Sequence, residues 1–216
     1  FYLWLMSIRY LVIEGNIGAG KTSLCKKLAT DRNAKLILEQ FAENPFLPKF
    51  YENPERFAFP LELSFLADRY NQLKTNVENF DLFSDLIIAD YFFMKSLIFS
   101  ASTLQADEYK LYRQLFDIIY SSLPKPDLYV YLHKSVENLQ KNIKQRAREY
   151  EQNISSDYLK SIENGYFNFF KQQTEMKIVL IDTNNIDFIN NEKHYKQIVK
   201  TIFEQNYCTG INRIVF

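Results

Sequence analysis

Near its start the chain carries a run whose residue types and spacing suit one task, the cradling of a phosphate chain. Gly15-Asn16-Ile17-Gly18-Ala19-Gly20-Lys21-Thr22 has a glycine, four residues, then glycine, lysine and a hydroxyl residue, the pattern of a loop between a strand and a helix. Backbone N–H groups reach phosphate oxygens only where no Cβ intervenes, and the following helix start adds a favourable dipole. Three of the five glycines in the chain lie in this run, so they are concentrated where close approach is needed. Lys21 is expected to reach the β- and γ-phosphates of a nucleoside triphosphate, and Thr22 to ligate Mg²⁺. The candidate nucleotide-binding residues are therefore Gly15, Asn16, Ile17, Gly18, Ala19, Gly20, Lys21, Thr22 and Ser23.

Such a loop needs an acid beside the metal, usually at the end of another strand. Asp90 follows the apolar run Leu86-Ile87-Ile88-Ala89 and is the second metal candidate. It could also cap a helix starting at Tyr91, and the metal role is favoured. Glu39 ends another apolar run, at the edge where open parallel sheets bind ligands, and is either a solvated loop carboxylate or the candidate general base for an attacking hydroxyl. Lys141, Lys144, Arg146 and Arg148 gather cations near the end of one helix, which suits either the helix dipole or a lid that clamps phosphates; the lid is favoured. His133 and His194 are isolated and receive no role. Cys25, and the aromatic run Tyr166, Phe167, Phe169 and Phe170, are expected to pack, the aromatics in the core or at a dimer contact.

The elements that must position these groups follow from apolar patterning. Ile8–Ile13, Lys35–Leu38, Leu86–Ala89, Leu128–Leu132 and Ile178–Ile181 are short apolar runs of the kind buried on both faces of a parallel sheet. Helical spacing fills residues 21–30, 55–77, 91–104, 107–121, 135–150, 155–174 and 192–206. The alternation predicts an α/β fold of the P-loop NTPase type, three layers with a five-stranded parallel sheet flanked by helices. One domain over residues 1–216 is expected, with residues 1–6 a linker or Met6 a natural start. Lysine plus arginine equals aspartate plus glutamate at 26 each, so no overall field draws the chain to nucleic acid or an anionic membrane, and a small partner is expected. No apolar run approaches spanning length. Two unpaired cysteines suit a reducing, cytoplasmic setting rather than a disulfide framework or zinc site.

In order, G-N-I-G-A-G-K-T-S-L, I-L-E, F-Y-E-N-P-E-R-F-A-F and R-A-R-E-Y-E-Q resemble the deoxynucleoside kinases, from about Leu11 to Phe188. The resemblance implies that ATP is the phosphate donor, with Mg²⁺, and that a deoxynucleoside is the acceptor. It implies that Glu39 takes the proton of the sugar 5′-hydroxyl, that Tyr51 and Glu151 hold the 3′-hydroxyl, and that Glu62 and Arg69 contact the base. Arg146 and Arg148 match the lid arginines, and Asp187 and Phe188 fall in the loop that frames the ATP adenine. A homodimer is implied as well, and some relatives form one half of a longer bifunctional chain. Two departures stand out. Asp90-Tyr91-Phe92 replaces the usual Glu-Arg-Ser, so an arginine is missing for which Lys95 could supply charge. Ser96 stands at a usually acidic position, leaving base choice open. Glu62, seven residues before Arg69 on one helix face, either pairs with that arginine or faces solvent, leaving the base to other residues, or meets the base itself, in which case it points to a purine, guanine first. The alternatives are a thymidylate-type nucleoside monophosphate kinase, against which Glu39 argues by repelling an acceptor phosphate, and a non-catalytic nucleotide-binding module. A GTPase switch is disfavoured by the absence of an Asn-Lys-x-Asp run.

Overall fold

Alternation within the first strand sets up the layers. In β1 (Tyr10–Gly15), Tyr10 and Val12 pack on one side of the sheet while Leu11 and Ile13 pack on the other, and none is more than 3% exposed. A computed structural model describes residues 8–40, 44–77 and 86–216; residues 1–6, expected as a linker or start, lie outside them. The strands are β1, β2 (Lys35–Ile37), β3 (Ile87–Ala89), β4 (Leu128–His133), β5 (Lys177–Asp182) and β6 (Gly210–Ile214), all parallel in the order β2-β3-β1-β4-β5-β6. The α/β layering is as expected, but the sheet has six strands rather than five. β6 escapes a pattern search because it starts at a glycine and carries Asn212 and Arg213, so it is only partly buried at the sheet edge.

The helices are α1 (Lys21–Arg32), α2 (Leu47–Glu52), α3 (Pro54–Val77), α4 (Lys95–Thr103), α5 (Ala106–Tyr120), α6 (Val136–Arg146), α7 (Ser156–Gln172) and α8 (Glu192–Phe203). One face of the sheet carries an aromatic layer from α3, α4, α5 and α7, including Tyr112, Phe116, Tyr166 and Phe170. The other is aliphatic and covered by α1, α6 and α8. Tyr166, Phe169, Phe170 and Cys25 are thus core residues.

Three helix boundaries correct the sequence expectation. α2 is too short to show a period. α4 starts at Lys95, not Tyr91, because Phe92 and Phe93 form a tight turn whose carbonyls accept from the N–H groups of Lys95 and Ser96; Asp90 is therefore not its cap. α6 stops at Arg146, since Ala147 takes the left-handed conformation at φ 55° and a separate short turn covers Glu149–Glu151.

This topology gathers the candidate residues. β1 lies between β3 and β4, and the chain leaves it through α1 to reach β2 beyond β3. The C-terminal ends of β1, β2 and β3 therefore border the crevice in which open parallel sheets bind ligands. Ile37 and Ala89 are register partners, so the residues just past them, Glu39 and Asp90, emerge side by side.

Candidate active site

The loop after β1 is held by its own polar groups. Asn16 is buried, its Oδ1 accepting from Ile17 N–H at 2.8 Å and its Nδ2 donating to the Leu159 carbonyl at 2.7 Å. Gly18 and Gly20 have φ of 85° and 91°, and a Cβ on Gly18 would stand 2.8 Å from the Leu139 carbonyl oxygen of α6, so glycine is required by both conformation and space. Asn142 of α6 donates to the Gly18 carbonyl at 2.8 Å. Lys21 Nζ folds back onto the carbonyls of Gly15 and Asn16, at 2.9 and 3.0 Å. Burial, with Lys95 adding to it, lowers its pKa to about 8 against the opposing carboxylates of Glu14, Asp90 and Glu39.

Asp90 joins two parts of the site. Its Oδ2 accepts from the Thr22 hydroxyl at 2.6 Å and its Oδ1 from the Glu39 backbone N–H at 2.7 Å. Burial pushes its pKa up, while the Thr22 bond opposes the shift. The adjacent Thr22 and Asp90 oxygens are hard donors of the kind Mg²⁺ takes when most of its other ligands are water and phosphate. No cluster of three or more histidine, cysteine or acidic residues suited to a metal occurs among the described residues.

Glu39 is gripped on both oxygens. Arg69 donates to Oε1 from Nε at 2.9 Å and from Nη2 at 2.6 Å, and Lys95 Nζ donates to Oε2 at 2.5 Å. Burial would raise the Glu39 pKa, but the Lys95 and Arg69 cations outweigh it and hold it at about 2. Arg69 Nη1 donates to Ser96 Oγ at 2.7 Å, so the serine at the family's acidic position supports the guanidinium. Two turns earlier on α3 lies Glu62, only 2% exposed. Its Oε1 accepts from Thr103 at 2.9 Å while its Oε2 has no hydrogen-bond partner among the described residues. Burial raises its pKa to about 7 against the pull of Arg69 and the Thr103 bond.

The two arginines expected in a lid are both paired with Glu151. Glu151, 5% exposed, accepts from Arg146 and, at 3.2 Å, from Arg148. Tyr51 stacks on Tyr150 of the same segment with centroids 6.0 Å apart. Lys21, Thr22, Glu39, Tyr51, Glu62, Arg69, Asp90, Arg146, Arg148 and Glu151 all line one cleft with apolar walls from Phe50, Phe65 and Phe99. Asp187 and Phe188 do not line it. They border a second cleft that shares Gly20 with the loop, where the Phe188 ring lies 2.9 Å from where a Gly20 Cβ would be. The Asp187 carboxylate there accepts from the N–H groups of Ile189 and Asn190.

Two groups were missed or underweighted in the sequence. Lys95, which the sequence offers only as spare charge, is 6% exposed and touches Glu39 directly. Glu14, which received no role, is fully buried under the aromatic layer, where it accepts from Phe92 N–H at 2.9 Å and the Tyr166 hydroxyl at 2.8 Å. Its signal was available: a charge on the face of β1 that also carries Tyr10 and Val12 must be buried.

The sequence model described as Deoxynucleoside kinase matches residues 11–208. The chain is 32% identical over 199 residues to the deoxyguanosine kinase of Bacillus subtilis (strain 168), covering 90% of this chain and 96% of that protein. It is 31% identical over 196 residues to the deoxyadenosine/deoxycytidine kinase of the same organism, covering 89% and 90%. Its fold matches the solved structure of the M. mycoides deoxyadenosine kinase with bound dCTP at a TM-score of 0.78 and 21% identity, over 91% of this chain and 100% of that one.

Proposed function

Since the chain belongs to the deoxynucleoside kinase family, we propose that it transfers the γ-phosphoryl group of ATP to the 5′-hydroxyl of a purine deoxynucleoside, deoxyguanosine foremost. The observation that carries this is the double use of Asp90, which ties Thr22 of the phosphate loop to the backbone of Glu39 at 2.6 and 2.7 Å. A carboxylate able to take a hydroxyl proton is thereby fixed beside the place where the terminal phosphate is gripped. In this proposal Lys21, Arg146 and Arg148 hold the phosphates, and the residues from Gly15 to Ser23 supply the cradle. Asp187 and Phe188 frame the adenine. Thr22 and Asp90 would hold Mg²⁺, which when bound neutralises phosphate charge. Tyr51 and Glu151 receive the 3′-hydroxyl.

Base choice falls to Glu62 and Arg69. The open Oε2 of Glu62 is an acceptor, once ionised, for the two N–H donors on the pairing edge of guanine, whereas cytosine would turn a ring acceptor toward it. The same proposal includes a homodimer, for which the exposed apolar residues Leu63 of α3 and Leu111 and Ile118 of α5 offer a surface, and a cytoplasmic setting that keeps Cys25 and Cys208 as thiols.

The test is ATP-dependent phosphorylation of the four deoxynucleosides, their monophosphates and the ribonucleosides. The expected order of kcat/KM is deoxyguanosine, then deoxyadenosine, then deoxycytidine. Preference for deoxycytidine or thymidine would overturn the purine assignment, and preference for a monophosphate would overturn the acceptor class.

A further inference from the structure

Lys95 sits where a merely structural lysine would be poorly placed. It is 6% exposed, its Nζ lies 2.5 Å from Glu39 Oε2, and it shares a cleft with Lys21, Thr22 and Asp90. Tyr91, next to Asp90, contributes no charge: it is fully buried and its hydroxyl donates to Gln72 at 2.7 Å. Arg69 is fixed, with Nε and Nη2 on Glu39 and Nη1 on Ser96. Lys95, by contrast, is a point charge on a flexible stem.

We propose that Lys95 is a catalytic cation of this chain, which leaves Glu39 for the oxygens of the transferring phosphoryl group as the acceptor proton reaches Glu39. The inference rests on the phosphoryl transfer proposed above. In that step the acceptor O–H bond breaks and its proton goes to Glu39 Oε2. The hydroxyl oxygen bonds to the γ-phosphorus, and the bond from that phosphorus to the β–γ bridging oxygen breaks, its electron pair leaving with ADP. Glu39 becomes neutral, and a buried ammonium left beside it would lose its partner at high cost. The charge spread over the phosphoryl oxygens at that moment is the replacement partner. The ammonium that held the base ionised before reaction then stabilises the group that the base helped to form.

The charged and titratable groups around Glu39 are Arg69 and Glu62 from α3, Lys95 from α4, Lys21 from α1, Glu14 from β1, and Asp90 with Tyr91 from the end of β3. Arg146 and Arg148 enter the same cleft from the lid. Of the cations, only Lys95 and Arg69 touch the Glu39 carboxylate.

The test compares wild type with Lys95→Met, measuring kcat and KM for the preferred deoxynucleoside and the affinity for ATP. Losing the charge should lower kcat by roughly 100-fold, the scale of one lost transition-state partner, with ATP affinity within about threefold. Because the contact is made only as the phosphoryl group transfers, the loss should lie in kcat, with KM for the deoxynucleoside within about threefold. Lys95→Gln keeps a hydrogen-bond donor toward Glu39 and carries the same expectations if the methionine variant does not fold. A folded variant with kcat within about threefold of wild type, or one whose loss lies in KM with kcat unchanged, overturns the role of Lys95 alone. Wild type that phosphorylates no deoxynucleoside overturns the function and this inference together.

Discussion

At the residue scale the site is a set of opposed charges arranged around one proton. Glu39, held at about 2 by Lys95 and Arg69 against its burial, is fully ionised at neutral pH and a weak base toward a free hydroxyl. In the proposed reaction it would become an effective one only as the O–P bond forms and the acceptor proton turns acidic, which suits a late proton transfer in a loose transition state. Glu39→Gln keeps the shape and still accepts from Arg69, but it cannot take the proton. Turnover should fall by about 100-fold or more while ATP affinity stays within about threefold; single-turnover kinetics and a nucleotide titration check this, and wild-type values of both would place the base elsewhere. Glu39 and Asp90 were legible because each follows an apolar run, and a parallel strand delivers its next residue to the crevice. Their contacts were not legible. That Asp90 bonds the Glu39 backbone depends on β2 and β3 ending in register, and that Lys95 reaches Glu39 depends on a turn at Tyr91–Met94 that helical periodicity ran straight through.

At the element scale the lid shows what a pattern search reads and what it smooths over. The apolar positions Val136, Leu139 and Ile143 and the cations at its end marked α6 correctly, but the period was carried to residue 150, four past the end of the helix at Arg146. The break is made by Ala147, which adopts φ 55° and ψ 32° and receives no sequence signal because glycine or asparagine is the usual occupant. That left-handed residue turns Arg148 back toward Glu151, so both arginines meet one carboxylate. Alanine there carries strain that glycine would not. Ala147→Gly should therefore stabilise the protein by about 0.5–1 kcal/mol after allowing for the greater freedom of glycine in the unfolded chain, with kcat within about twofold. Urea unfolding is the check, and destabilisation would show that Ala147 is not strained. β6 and α2 were missed for the opposite reason, one being too polar and the other too short for any period to rise above its surroundings.

At the scale of the whole molecule, binding a charged reaction inside an aromatic layer leaves its mark on stability. Glu62 and Glu39 are both near-buried carboxyls, yet their titrations oppose each other. Glu39 is held down by its cations, so the stability it lends is present above the ordinary value of 4.5 and is lost as pH falls toward 2. Glu62 is pushed up from 4.5 to about 7, chiefly by burial. Between those values the unfolded chain has released the Glu62 proton and the folded protein has kept it, so the folded state binds more protons and stability declines as pH rises through this window. The decline amounts to roughly 3 kcal/mol and is complete above the folded value, where an ionised Oε2 has no hydrogen-bond partner among the described residues. Glu62→Gln removes that titration. The variant should gain stability relative to wild type at pH values near 8 while differing little near 5, and its preference for deoxyguanosine over deoxycytidine should narrow, because an amide offers a donor as well as an acceptor to the base. Thermal unfolding of both proteins at the two pH values, paired with kcat/KM for the two nucleosides, tests the trade directly. A stability difference that does not change with pH would mean Glu62 titrates as an ordinary carboxyl, and an unchanged base preference would mean its open oxygen does not meet the base.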